Sequence, residues 1–226
     1  MPIELVVFDM AGTTVNDQDS VSRCVQASLA VFGVTVGVDD VNRVMGIAKP
    51  EAIRVLVSES ARREELIDRI REIHDDFVDR SIRFYATDSS VREVAGSEAT
   101  FRALKRAGIK VALDTGFSRA ITRTILDRLG WSQSPYIDGV ISSDEVPRGR
   151  PFPDMIHSLI HRLGIENPAS VVKVGDTPAD LHEGHNARCG VIVGVTEGTH
   201  TREQLQAHPH THLIGSVRDL PGLLLT

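Results

Sequence analysis

An apolar, β-branched run, Ile3-Glu4-Leu5-Val6-Val7-Phe8, stops at the carboxylate of Asp9 and passes at once into Met10-Ala11-Gly12-Thr13-Thr14. A run of this kind reads as a strand buried on both faces, the pattern of a parallel sheet. Open α/β sheets hold their ligand chemistry at the carboxyl edge of such strands. Three later segments repeat the form: Val111-Ala112-Leu113-Asp114-Thr115-Gly116, Arg148-Gly149-Arg150-Pro151, and Val172-Lys173-Val174-Gly175-Asp176-Thr177-Pro178-Ala179-Asp180.

Strand-like runs are expected at Ile3–Phe8, Ile109–Leu113, Gly139–Ile141, Val171–Val174 and Gly190–Val195. Helices are expected between the later ones, over Glu98–Ala107, Arg119–Leu129, Asp154–Leu163 and Ala179–Ala187. This alternation predicts an α/β fold, a doubly wound parallel sheet with helices on both faces. The stretch from Val15 to Asp88 shows no convincing strand. Helices are expected there at Ser20–Phe32, Asp39–Met45 and Pro50–Glu59, followed by a long one. In that last helix Leu66, Ile70, Ile73, Phe77 and Phe84 recur at helical spacing among charged residues. Tyr85–Gly96 reads as the return linker.

Together the four motifs resemble the haloacid dehalogenase (HAD) superfamily over nearly the whole chain. The resemblance implies a Rossmann-like core of residues 1–14 and 92–226 and a small all-helical cap of residues 15–91. Phosphatases of that superfamily usually carry a second Asp two residues after the nucleophile, where this chain has Ala11, and Lys where it has Arg150. Both changes resemble the phosphonatase branch, as does Met45-Gly46 ahead of Lys49.

The resemblance implies a Mg²⁺-dependent hydrolase that splits the C–P bond of a 2-oxoalkylphosphonate. Asp9 is the expected nucleophile, since a carboxylate can attack phosphorus and form an aspartyl-phosphate. Asp9, Asp176, Asp180 and the Ala11 carbonyl are the expected Mg²⁺ residues; Asp180 is also placed to orient Arg150 or to cap the helix that begins near Pro178. Thr115 and Arg150 are expected on the phosphonate oxygens, with Ala11, Gly12, Met45, Gly116 and Phe117 around the substrate. Arg148 is the less suitable arginine by alignment.

Ala11 cannot protonate an alkoxide leaving group, so the chemistry needs either a slow ester reaction or a leaving group that requires no such acid. A carbon leaving group qualifies if an amine condenses with the neighbouring carbonyl and drains the electron pair into an enamine. Lys49 matches the Schiff-base lysine of the branch. Pro50 favours a helix start there, and a helix N-terminus with partial burial disfavours the ammonium form. The branch carries a histidine three residues after this lysine; the present chain has Ala52, with Asp17 or Asp19 as substitute acid–base groups. The alternative reading is a phosphatase of small phosphate monoesters. A 2-haloacid dehalogenase would need no Mg²⁺, and the retained Asp176 and Asp180 argue against it. A non-catalytic ligand-binding domain is a further alternative, opposed by the intact motif residues.

Composition narrows partners. The formal charge is −6 and aromatics are 4% of 226 residues, which disfavours nucleic acid. No apolar run spans a bilayer, and no signal segment precedes the first strand, so a cytoplasmic enzyme is expected. Cys24 and Cys189 match no metal spacing and read as reduced, buried thiols. His208, His210 and His212 alternate through Pro209 and read as an exposed segment; His182 and His185 read as surface residues or neighbours of the site. Trp131 reads as a packing residue. The charged face of the long helix reads as solvated, and as the candidate surface for a homodimer through the cap.

Overall fold

The computed structural model describes residues 2–16 and 19–225. Six strands, β1 (Leu5–Asp9), β2 (Lys110–Thr115), β3 (Gly139–Ser142), β4 (Val171–Gly175), β5 (Val191–Val195) and β6 (His212–Ile214), form one sheet in the order β3-β2-β1-β4-β5-β6. Every neighbouring pair is parallel. The five expected strands are present. β6 is additional: its three residues are too few to stand out from a loop. Asp17 lies outside the described residues.

Strand alternation explains the continuous apolar runs. Val6 and Phe8 of β1 join Val111, Leu113, Val172 and Val174 on one face of the sheet. Leu5 and Val7 join Ala112, Ile141 and Val171 on the other. Both faces are covered, so each strand needs apolar side chains in both directions. α6 (Ser97–Arg106) and α7 (Arg119–Leu129) supply Phe101, Leu104, Ile121 and Ile125 to the first face. α8 (Asp154–Arg162) supplies Met155, Ile156 and Leu159 to the second. Phe8, Phe101 and Trp131 pack in series, tilted and edge-on, at centroid distances of 5.2 and 5.4 Å, so Trp131 packs as expected. α9 (Pro178–Asn186), α10 (Arg202–Gln206) and α11 (Leu220–Leu224) complete the C-terminal part.

Between β1 and α6 the chain is helical: α1 (Ser20–Val31), α2 (Val38–Arg43), α3 (Lys49–Ser58), α4 (Arg63–Leu66) and α5 (Ile70–Thr87). Leu66, Ile70, Ile73 and Phe77 are buried as expected, but the stripe continues through Ser81 and Tyr85, and Phe84 is only half-buried. Tyr85 therefore belongs to α5, not to the return linker. The chain enters and leaves this helical segment side by side: Asn16 N–H donates to the Arg92 carbonyl, and Val94 N–H to the Thr14 carbonyl.

Neither Cys24 nor Cys189 forms a disulfide; both are half-buried. Among the described residues no helix is long and apolar enough to cross a membrane.

Candidate active site

Strands β2 and β3 lie on one side of β1, and β4, β5 and β6 on the other. Successive connections therefore reverse direction beside β1, and a crevice opens at its carboxyl end. Asp9 ends β1, Thr115 ends β2, and Asp176 follows β4 by one residue. Arg150 comes from the loop before α8, and Lys49 is the first residue of α3. Asp9, Ala11, Met45, Lys49, Thr115, Gly116, Phe117 and Arg150 line one cavity, together with Val21, Gly46, Thr177 and Thr199. Its open volume is about 20 Å³, room for a single water. Gly12 lies to one side, lining an adjoining cavity with Asn16, Asp19 and Glu197. Asp176 and Asp180 are buried beneath the floor.

Asp9, Asp114 and Lys173 point to the same face of the sheet, because the register sets Asp9 opposite Asp114 and Val7 opposite Lys173. On that face lies a buried ionic network. Arg150 Nη1 donates to Asp9 Oδ1 at 2.5 Å and lies 3.0 Å from Asp180 Oδ1. Its Nη2 pairs with Asp114 Oδ1, and its Nε donates to Glu183 Oε2 at 2.9 Å. Lys173 Nζ meets Asp114 at 2.5 Å, Glu183 at 3.0 Å and Asp180 at 3.1 Å. Four carboxylates thus surround two cations with no exposed side-chain surface on either. A buried charge is tolerated only when paired in this way.

Protonation follows from these neighbours. Burial pushes the Asp9 carboxyl up to about 8; Arg150 opposes the rise, and Asp180 and Asp176 add to it. Burial, with Asp114 alongside, raises Glu183 to about 8. Burial works against the Asp114 carboxylate too, but Arg150 and Lys173 prevail and hold it below the usual range. Lys173 stays protonated: burial and Arg150 oppose its charge, and the three carboxylates outweigh them.

Asp176 is held at both oxygens. Thr13 Oγ1 donates to its Oδ1 at 3.0 Å, and the Thr199 amide to its Oδ2 at 2.6 Å. Burial, reinforced by Asp180, pushes it up to about 6. Asp180 closes a capping box on α9, accepting from the Thr177 hydroxyl at 2.5 Å while its other oxygen faces Arg150 and Lys173. Capping and orientation of Arg150 therefore coexist. Asp9, Asp176 and Asp180 each bring a carboxylate oxygen within 4.8 Å of the others. This hard-oxygen donor set fits Mg²⁺.

Lys49 is 4% exposed. Its Nζ lies 5.5 Å from the Phe117 ring centroid and 3.3 Å from the Ile47 carbonyl. Phe117 is braced by Tyr85 and Phe77 of α5. Three glycines bring the Lys49 loop this close. A Cβ on Gly116 would meet the Ile47 carbonyl oxygen at 2.6 Å, one on Gly149 would meet Ala48 at 3.2 Å, and one on Gly46 would strike Thr177.

The family model for haloacid dehalogenase-like hydrolases matches residues 3–188. The chain belongs to the haloacid dehalogenase-like hydrolases. It is 29% identical over 236 residues to a phosphonoacetaldehyde hydrolase of Bacteroides fragilis, covering 99% of this chain and 89% of that one. It is 30% identical over 227 residues to one from Bacillus cereus strain B4264, covering 92% and 82%. Among solved structures, a phosphonoacetaldehyde hydrolase-like protein from Oleispira antarctica superposes with a TM-score of 0.86 at 24% identity, covering 100% and 92%. A predicted phosphoglycolate phosphatase from Haemophilus somnus superposes with a TM-score of 0.81 at 18% identity, covering 98% and 97%. These two likenesses bear on the fold.

Within this HAD-like site several residues went unmarked by the motif reading. Lys173 and Asp114 carried a signal: a charge inside a buried parallel strand must find a buried partner. Glu183 follows Asp180 by nearly one helical turn and so shares its face. Thr199 lies in a loop without distinctive pattern. Arg148 pairs at the surface with Asp154 at 3.0 Å and stacks on Phe152. Ala52 is buried in α3, and among the described residues no histidine lines the cavity. The alternating histidines diverge: His208 faces His182 at 3.1 Å, His210 bonds the His208 carbonyl, and His212 is exposed on β6. His185 is exposed.

Proposed function

We propose that this HAD-family hydrolase splits the C–P bond of a small 2-oxoalkylphosphonate with the help of Mg²⁺. One observation carries the reading: the buried amine of Lys49 and the carboxylate of Asp9 line the same cavity, in which Ala11 offers no acid for an alkoxide. The phosphonoacetaldehyde hydrolases at 29–30% identity support it.

Asp9, Asp176 and the Ala11 carbonyl would hold Mg²⁺, with Asp180 behind them. Bound there, the cation would supply charge to offset the approach of a carboxylate to an anionic phosphonate. Lys49 condenses with the substrate carbonyl, releasing water and forming an iminium. Asp9 then attacks phosphorus; the C–P bond breaks and its electron pair passes into an enamine on Lys49. Protonation at carbon and hydrolysis return the amine and the carbonyl product. A second water cleaves the aspartyl-phosphate. Arg150, fixed by Asp114 and Glu183, holds the attacking carboxylate. Thr115 Oγ1 accepts from the Phe117 amide at 3.2 Å, which leaves its hydroxyl proton for a phosphonate oxygen. Residues 15–91 act as a cap that opens for the substrate and closes to exclude water.

The test is Mg²⁺-dependent phosphate release from 2-oxoalkylphosphonates and from common phosphate monoesters, side by side. Release from the phosphonates is expected. Release from the esters alone would overturn the reading and favour a monoester phosphatase. One observation favours that second reading: Ala52 stands where the phosphonatase branch carries a histidine, and among the described residues no histidine lines the cavity.

A further inference from the structure

We infer that the loop after β5, Gly198-Thr199-His200, is the positioning element that sets the Asp176 carboxylate for its cation; this rests on the reading of Asp176 as a Mg²⁺ ligand. Three consecutive residues act on the one aspartate. Gly198 packs against its side chain so closely that a Cβ there would fall on the Asp176 Cβ and Oδ2. Thr199 donates its amide to Oδ2 at 2.6 Å, and its hydroxyl lies beside the same carboxylate, where it favours the ionised form. His200, buried, lies beside the backbone of Asp176.

These contacts differ in kind from the ionic network on the other side of Asp9. That network is charged and grips Arg150. The loop is neutral and grips the aspartate that Arg150 does not reach. Thr13 from the β1 side takes Oδ1, so Asp176 is clamped between the ends of two strands that do not touch, β1 and β5. Each oxygen is fixed by neutral donors and keeps a lone pair for a hard cation, as the groups behind a metal ligand generally arrange. Thr199 also lines the central cavity and the two that adjoin it. The loop is therefore the partition between the substrate space and the side cavity that holds Gly12, Asp19 and Glu197.

The consequence is specific. A methyl group at Gly198 has no backbone penalty, because its φ is not positive, and acts only by displacing the carboxylate. Thr199→Val removes the hydroxyl at constant shape, and Thr199→Ser restores it. The experiment is calorimetric titration of Mg²⁺ alone into the full chain, with a thermal melt of each variant. Expected are a Mg²⁺ affinity at least ~10-fold weaker in Gly198→Ala, a weakening of about 10-fold in Thr199→Val, and wild-type affinity in Thr199→Ser. Should Gly198→Ala fail to fold, the Thr199 pair decides. Wild-type affinity in both Gly198→Ala and Thr199→Val, or equal weakening in Thr199→Val and Thr199→Ser, would overturn the inference. A wild-type chain that gives no Mg²⁺ binding would instead overturn the metal reading beneath it.

Discussion

Arg150 reaches the Asp9 carboxylate from inside the protein, through Nη1 at 2.5 Å, and its remaining nitrogens are spent on other carboxylates. Its charge therefore serves first to hold Asp9, the proposed attacking group. Lysine has one ammonium and cannot meet Asp9, Asp114 and Glu183 at once. In Arg150→Lys at least one buried carboxylate loses one of its charged partners, although Asp114 and Glu183 keep Lys173, and the cost is up to about 3–5 kcal/mol. A melting temperature lower by roughly 10 °C is expected, together with a fall in kcat larger than any rise in KM. Calorimetry and steady-state kinetics check both; an unchanged melt would mean that the network is not under load.

Lys49 is enclosed by Phe117 and the Ile47 carbonyl, so an amine there can be trapped only by a carbonyl that enters the cavity. Incubation with a 2-oxoalkylphosphonate and borohydride should add the reduced substrate mass to residue 49 of the wild type and nothing to Lys49→Arg. The arginine variant should lose C–P cleavage entirely, by at least ~10³-fold, because its guanidinium forms no iminium. C–P turnover retained in the variant would remove the imine step from the mechanism.

Much of this was legible in the chain. The strand at Leu5–Asp9 and the helix at Arg119–Leu129 follow from β-branched runs and helical periodicity, and Asp9, Thr115 and Asp176 follow from where those strands stop. What was not legible depends on pairing between distant segments. Lys173 and Glu183 meet Asp114 only because the register and the pitch of α9 bring three elements to one face. Tyr85 extends the α5 stripe past Ser81, a polar residue that breaks the apolar pattern although it is buried. Thr199 acts mainly through its backbone amide, which no side-chain motif can reveal.

Gly116 carries the loop that bears Lys49. Its missing side chain leaves room for the Ile47 carbonyl, which a Cβ would approach to 2.6 Å. Gly116→Ala must push that backbone outward, since neither partner is a flexible side chain. Misplacement of a catalytic group by about 1 Å costs on the order of 100-fold in rate. The expected outcome is a kcat/KM lower by about that factor with borohydride trapping at Lys49 much reduced, while Mg²⁺ affinity stays at the wild-type value. Loss of Mg²⁺ binding in this variant would show that the loop supports the metal side as well.

The pH response follows from the raised carboxyls. Asp9 and Glu183 are pushed up to about 8 and Asp176 to about 6, all above the 3.8–4.5 of an unfolded chain. The folded state therefore holds protons that the unfolded state has lost, and its stability falls as pH rises toward 8. The depressed histidines His74, His182 and His200 act in the opposite sense, but only below about pH 7, where unfolded histidine still binds protons. Between pH 7 and 8 the raised carboxyls dominate, so the melting temperature of the metal-free chain should decline there, and above about pH 8.5 the Cys189 thiol, pushed by burial up to about 12, carries the decline on. On the proposed reading Mg²⁺ would bind the ionised carboxylates and displace their protons. Its affinity should rise from pH 6 to 8, and saturating Mg²⁺ should flatten the decline. Titration at pH 7 in two buffers of different ionisation enthalpy measures the release directly. A net release of protons per bound Mg²⁺ is expected; equal heats in the two buffers would mean that Asp9 and Asp176 are already ionised and that Arg150 outweighs burial at the nucleophile.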